Sequence, residues 1–126
     1  MTQRVLVADD SAAMRRAIRA RLLAHEDLEI VEAENGREAI ALAKAFQPHL
    51  ILLDLAMPEL NGAEAATALK KSMPRVPIIL CTVYADDIGP SLASAVGVDL
   101  VVSKPQGLSR LLEMVRLILD PPSAVA

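Results

Sequence analysis

Five short apolar runs, separated by stretches with helical patterning, constrain this chain more than any other feature. The runs are "VLVA" (5–8), "EIVEA" (29–33), "LILL" (50–53), "VPIILC" (76–81) and "DLVVS" (99–103). They are rich in Val, Ile and Leu and mostly continuous rather than alternating, as expected of parallel strands covered on both faces. Between them, Met14, Ile18 and Leu22 step by four along a first helix. Asn35 with Glu38, and Asn61 with Glu64, make capping-box-like starts to a second and a third. Ile40, Ala43 and Phe46 continue the second, and the third is expected to stop before Pro74. Leu108, Leu111, Leu112, Val115, Ile118 and Leu119 have the spacing of a buried helical face. Between Thr82 and the last run, Gly89-Pro90 falls where a helix would be under way. Proline suits only the first turn, so a loop and then a short helix from about Pro90 are expected. Five βα units in a row predict an α/β, doubly wound, five-stranded parallel sheet with right-handed crossovers.

The 126 residues are enough for one domain with one core, and a hydrophobic fraction of 53% is ample to fill it. Residues 1–120 read as that domain, and 121–126, within "DPPSAVA", as a tail or the start of a linker. Only Phe46 and Tyr84 are aromatic and the net charge is −3, which argues against direct nucleic-acid binding. The single cysteine, Cys81, cannot form an internal disulfide and reads as a buried, inert thiol. The N-terminal "MTQRVLVADDS" has no signal-peptide pattern and no segment is long enough to span a membrane, so a soluble cytoplasmic protein is expected.

In a parallel sheet all strands end on one edge, and ligands bind outside those ends. The first run ends in Asp9-Asp10, the third in Asp54, the fourth in Thr82 and the fifth in Lys104. Each has an ordinary alternative. Asp9 or Asp10 can cap the first helix, although Ser11 is also available, and Asp54 can be a solvated strand-end residue. Thr82 can be a plain β-branched strand residue, and Lys104 a surface lysine near acids. Together these alternatives weaken, because two carboxylates about 4 Å apart repel by roughly 4 kcal/mol at an effective dielectric near 20. Lysine supplies part of the needed positive charge. A hard divalent ion with oxygen ligands, Mg²⁺ above all, would supply the rest. The lack of clustered His or Cys argues against zinc. Glu32 and Glu34, around the end of the second run, fall outside the cluster if that strand lies at the sheet's edge.

The set "DD" at 9–10, "LLDLAMPELNG" around Asp54, the Thr82 hydroxyl and "SKP" at Lys104 resembles the receiver domain of two-component response regulators. The resemblance covers roughly residues 3 to 120. It implies a flavodoxin-like (βα)5 fold with strand order 2-1-3-4-5. It also implies that Asp54 is the phosphoacceptor, with Mg²⁺ held by Asp10, Asp54 and the backbone carbonyl of Ala56, and by Asp9 mainly through water. Thr82 and Lys104 would contact the phosphoryl group, and the Lys104-Pro105 bond would be cis. The implied donor is a phosphohistidine on a histidine kinase or phosphotransfer protein, and the implied output is a conformational change read by a downstream protein. Such a domain assists its own phosphoryl transfer without being an enzyme in the ordinary sense.

Some positions depart from the family pattern. Val101 stands three places before the lysine, where an aromatic switch residue is usual, and a valine cannot swing a ring. Tyr84 either lies across the rim of the site or restricts water there and slows phosphoryl loss. Ala56 offers no polar side chain to an attacking water, which also favours a longer-lived phosphoryl group. Met114 and Leu117 flank the main stripe of the last helix. They are either extra core contacts or part of a partner or homodimer surface with the fifth strand and the short helix before it. A degenerate receiver acting as a phosphorylation-independent binding module is the second reading. A phosphatase would want D-x-D, a dinucleotide or P-loop protein its glycines, and a flavodoxin a Ser/Thr/Gly phosphate loop, and "ADDSAAM" has none of these.

Overall fold

The computed structural model describes residues 2–24, 28–82, 97–103 and 108–119. The expected short helix near Pro90, Tyr84, Lys104, Pro105 and the tail 121–126 lie outside them. The strands are β1 (Gln3–Ala8), β2 (Leu28–Ala33), β3 (Leu50–Asp54), β4 (Ile78–Thr82) and β5 (Leu100–Ser103). The described helices are α1 (Ala12–Leu22), α2 (Gly36–Phe46), α3 (Gly62–Ser72) and α4 (Leu108–Leu119). The strands form one parallel sheet, as the sequence pattern predicts, in the order β2-β1-β3-β4-β5 that the resemblance implies.

Strand alternation divides the core in two. Leu6, Ala8, Ile51, Leu53, Ile78 and Leu80 pack on one face with α2 and α3 residues. Val5, Val7, Leu50, Leu52, Ile79 and Cys81 pack on the other with Ile18 and Leu22 of α1 and Leu111, Val115 and Leu119 of α4. β3 and β4 are buried at every residue, which is why each is apolar up to its last position, Asp54 and Thr82 respectively. The edge strand β2 is only partly covered, and it carries Glu29 and Glu32.

Several boundaries move for identifiable reasons. β4 begins at Ile78 rather than Val76, because the Val76 N–H closes a turn onto the Met73 carbonyl and Pro77 has no N–H to give. In α2 the buried row is Ala39 and Ala43, with Ile40 and Phe46 half-buried. Short side chains let that helix lie close on the sheet. On α4, Met114 packs beside the core as extra contact, whereas Leu117 is 45% exposed and is not a core residue. No helix among the described residues is long and apolar enough to cross a membrane.

Candidate phosphoacceptor site

Backbone register builds the site before any side chain does. Asp54 pairs with Cys81 across β3 and β4, and Thr82 follows one step later opposite Ser103. Ala8 pairs with Leu53, so continuing the β1–β3 register by one residue sets Asp9 beside Asp54. Asp9, Asp54 and Thr82 are the buried polar or charged residues among the described ones, and all three stand at the carboxyl edge of the sheet. Elsewhere in the described core, burial is reserved for apolar side chains.

One carboxylate oxygen from each of Asp9, Asp10 and Asp54 lies within 4.8 Å of the others. Asp9 and Asp54 are buried and Asp10 is exposed, so the cluster opens to solvent on one side. Three hard oxygen donors at this spacing suit a small divalent cation that keeps several waters, and Mg²⁺ fits that description. Ala56, whose carbonyl the resemblance to receiver domains assigns to the cation, lies exposed in the loop after β3.

Local interactions hold both acidic segments. Ser11, not either aspartate, is the N-cap of α1, its hydroxyl accepting from the Met14 N–H at 3.2 Å. That leaves the Asp9 carboxylate to accept from the Ser11 N–H at 2.9 Å. The Asp9 N–H donates to the Ala33 carbonyl at 3.0 Å, and the Asp9 carbonyl accepts from the Arg15 guanidinium at 2.6 Å. Both carboxylates precede the positive end of α1, which favours negative charge.

The loop after β3 is equally constrained. The Gly62 N–H donates to the Leu55 carbonyl at 2.9 Å, and a Cβ on Gly62 would overlap the Asp54 carbonyl oxygen. Glu59 sits at φ +66° in a tight turn closed by the Leu60 N–H on the Pro58 carbonyl at 2.7 Å. Asn61 and Glu64 then start α3 with a full capping box.

The structure therefore brings Asp9, Asp10 and Asp54 together and places Thr82 at the same edge. Val101, on β5, is half-buried and packs with the α2–α3 face of the core. Glu32 is outside the acidic cluster, as an edge position for β2 implies, and pairs with Arg15 and Arg19 at 3.1 and 3.2 Å. Sequence reasoning missed Arg15 and Gly62. The available signal for Arg15 was its place one turn into α1 after "DDS".

The family model of the response regulator receiver domain matches residues 5–116. The response regulator protein VraR of Staphylococcus aureus is 36% identical over 117 residues, covering 92% of this chain and 56% of VraR. The chain thus spans little more than half the length of the curated relatives it matches. The response regulator domain of Thermotoga maritima CheB superposes with a TM-score of 0.83 at 28% identity, covering 98% of this chain and all of that one. The receiver domain of AraT, a response regulator from Geobacillus stearothermophilus, gives 0.82 at 32% identity, covering 94% and 93%.

Proposed function

This chain belongs to the response regulator receiver domain family, and from that premise we propose that Asp54 accepts a phosphoryl group from a phosphohistidine. A carboxylate oxygen of Asp54 attacks phosphorus as the P–N bond breaks, and the imidazole leaves with the electron pair. The observation that supports this most is the burial of Asp9, Asp54 and Thr82 at one sheet edge, with three carboxylates within 4.8 Å of one another. A core this apolar bears that desolvation and repulsion where the group has work to do.

In this reading Asp10, Asp54 and the Ala56 carbonyl would hold Mg²⁺, with Asp9 acting mainly through water, and the ion would offset charge on the transferring oxygens. Thr82 donates its hydroxyl to a phosphoryl oxygen, and Lys104 supplies a second positive group. The domain is a phosphoacceptor working in the cytoplasm between a histidine kinase or phosphotransfer protein and a downstream protein. Its own residues assist the transfer, but it turns over no external substrate.

Intact-mass measurement after incubation with acetyl phosphate and Mg²⁺, then with a phosphorylated kinase, tests the reading. A single Mg²⁺-dependent phosphoryl adduct, absent from Asp54→Ala, is the expected result. A folded wild-type protein that takes no phosphoryl group from either donor would instead favour a phosphorylation-independent binding module.

A further inference from the structure

Arg15 has no part in the phosphoryl chemistry described above, yet its side chain is only 15% exposed and lies against the acidic segment. Its Nη1 donates to the Asp9 carbonyl at 2.6 Å while its Nε donates to Glu32 Oε1 at 3.1 Å. Glu32 Oε2 accepts from Arg19 at 3.2 Å, and Arg19 also donates to the Ile30 carbonyl at 3.3 Å. A continuous set of hydrogen bonds therefore runs from the edge strand β2, through two arginines of α1, to the backbone of the acidic segment.

The contact falls on a particular peptide. The Asp9 carbonyl belongs to the planar unit that joins Asp9 to Asp10, so fixing that oxygen fixes the plane between the two carboxylate-bearing residues. The same residue is pinned at its N–H by the Ala33 carbonyl and at its carboxylate by the Ser11 N–H. Glu32, which Arg15 shares with Arg19, offsets only part of the guanidinium charge, but the bond that Arg15 makes at this site is to a carbonyl, not a carboxylate. This arrangement orients the segment more than it neutralises it.

We propose that Arg15 is a positioning residue for the divalent-cation site, setting the Asp9–Asp10 peptide so that both carboxylates converge with Asp54. The inference rests on reading the acidic cluster as a Mg²⁺ site. It has a distinctive sign. If Arg15 acted only through its charge, removing it would make the cluster more negative and tighten Mg²⁺ binding. If it positions the ligands, removing it loosens binding. A planar fork is needed to reach Glu32 and the Asp9 carbonyl at once, so lysine should not substitute.

The test is a MgCl₂ titration of the unphosphorylated full chain, followed through the backbone amide NMR shifts of Asp9, Asp10 and Asp54. Arg15→Met should raise the midpoint Mg²⁺ concentration about tenfold, as loss of an outer partner of a metal ligand typically does. Arg15→Lys should fail to restore it, and Glu32→Gln, which leaves the bond to the Asp9 carbonyl, should shift it less. An Arg15→Met midpoint equal to or below that of the wild type overturns the proposal, even if thermal stability falls. Should Arg15→Met not fold, Arg15→Lys decides by the same criterion. A wild-type protein without saturable Mg²⁺-dependent shifts overturns the site reading itself, and this inference with it. That failure is visible before any variant is made.

Discussion

Asp10 is the exposed member of a cluster whose carboxylate oxygens lie within 4.8 Å of one another. At that separation two unit charges repel by about 3.5 kcal/mol at an effective dielectric of 20, and by about 0.9 kcal/mol at 80. Exposure draws the two pairs involving Asp10 toward the lower figure. Asp10→Asn keeps the shape, removes both pairs and leaves no buried group uncovered. It should therefore stabilise the metal-free protein by about 1–2 kcal/mol, roughly 3–8 °C in midpoint for a domain of this size. In Mg²⁺ the order should reverse. A ligand at a hundred times its dissociation constant stabilises the folded state by about 2.7 kcal/mol, and the variant's weakened site gains less of this. Urea unfolding of both proteins, in EDTA and then in MgCl₂, measures the four stabilities required. If Asp10→Asn is the less stable protein in EDTA, the cluster holds no repulsion to release and the electrostatic reasoning fails. Equal stabilisation of both proteins by Mg²⁺ would remove Asp10 from the cation site.

Two further substitutions separate the site from the scaffold. Gly62→Ala drives a Cβ into the Asp54 carbonyl oxygen and toward the Leu55 Cα, both backbone atoms with little freedom to yield. It should cost about 2 kcal/mol or more and slow phosphoryl uptake, measured by urea unfolding and by intact mass against time. At the opposite end of the sheet, Asp99 Oδ2 accepts from the Ile78 N–H at 2.8 Å and from Lys70 at 2.9 Å. Asp99→Ala should cost about 1–2 kcal/mol in the same unfolding assay. It should leave the Mg²⁺ midpoint and the phosphorylation rate unchanged, and a slowed rate would mean that the two ends of the sheet are coupled.

The fold was legible because its signals are local and repeated. Strands buried on both faces must be nearly all apolar, and Asn-x-x-Glu at 35–38 and 61–64 marks two helix starts by the hydrogen bonds it supplies. The acidic site was legible once the strands were read as parallel, since topology alone gathers their ends. Other features depend on tertiary packing. Met114, packed beside the core, and Leu117, left exposed, are both apolar in "LSRLLEMVRLIL" and differ only in that Leu117 lies farther round the helix from the buried stripe, so packing against the sheet settles which is covered. Arg15 looks like any other arginine of a four-arginine helix until Glu32 on β2 and the Asp9 carbonyl are brought to it. Gly62 reads as a turn residue, whereas its structural requirement is the close approach of the Asp54 backbone.

Register links the core to the chemistry. Sliding β3 by one residue against β1 and β4 would exchange Leu50 and Leu52 with Ile51 and Leu53 between the two faces of the sheet. Both faces are apolar, so hydrophobic burial by itself discriminates weakly between the two registers. Asp54 breaks the tie. A slip in one direction carries its carboxylate a full residue deeper, away from the open side of the cluster, at a desolvation cost of several kcal/mol for an ion without new partners. A slip in the other direction tears the Gly62 N–H from the Leu55 carbonyl and moves the Asp54 backbone off the one residue without a Cβ to obstruct it. The acidic edge thus helps to specify the pairing that assembles it, and an Asp54→Leu substitution would remove that discrimination together with the proposed phosphoacceptor.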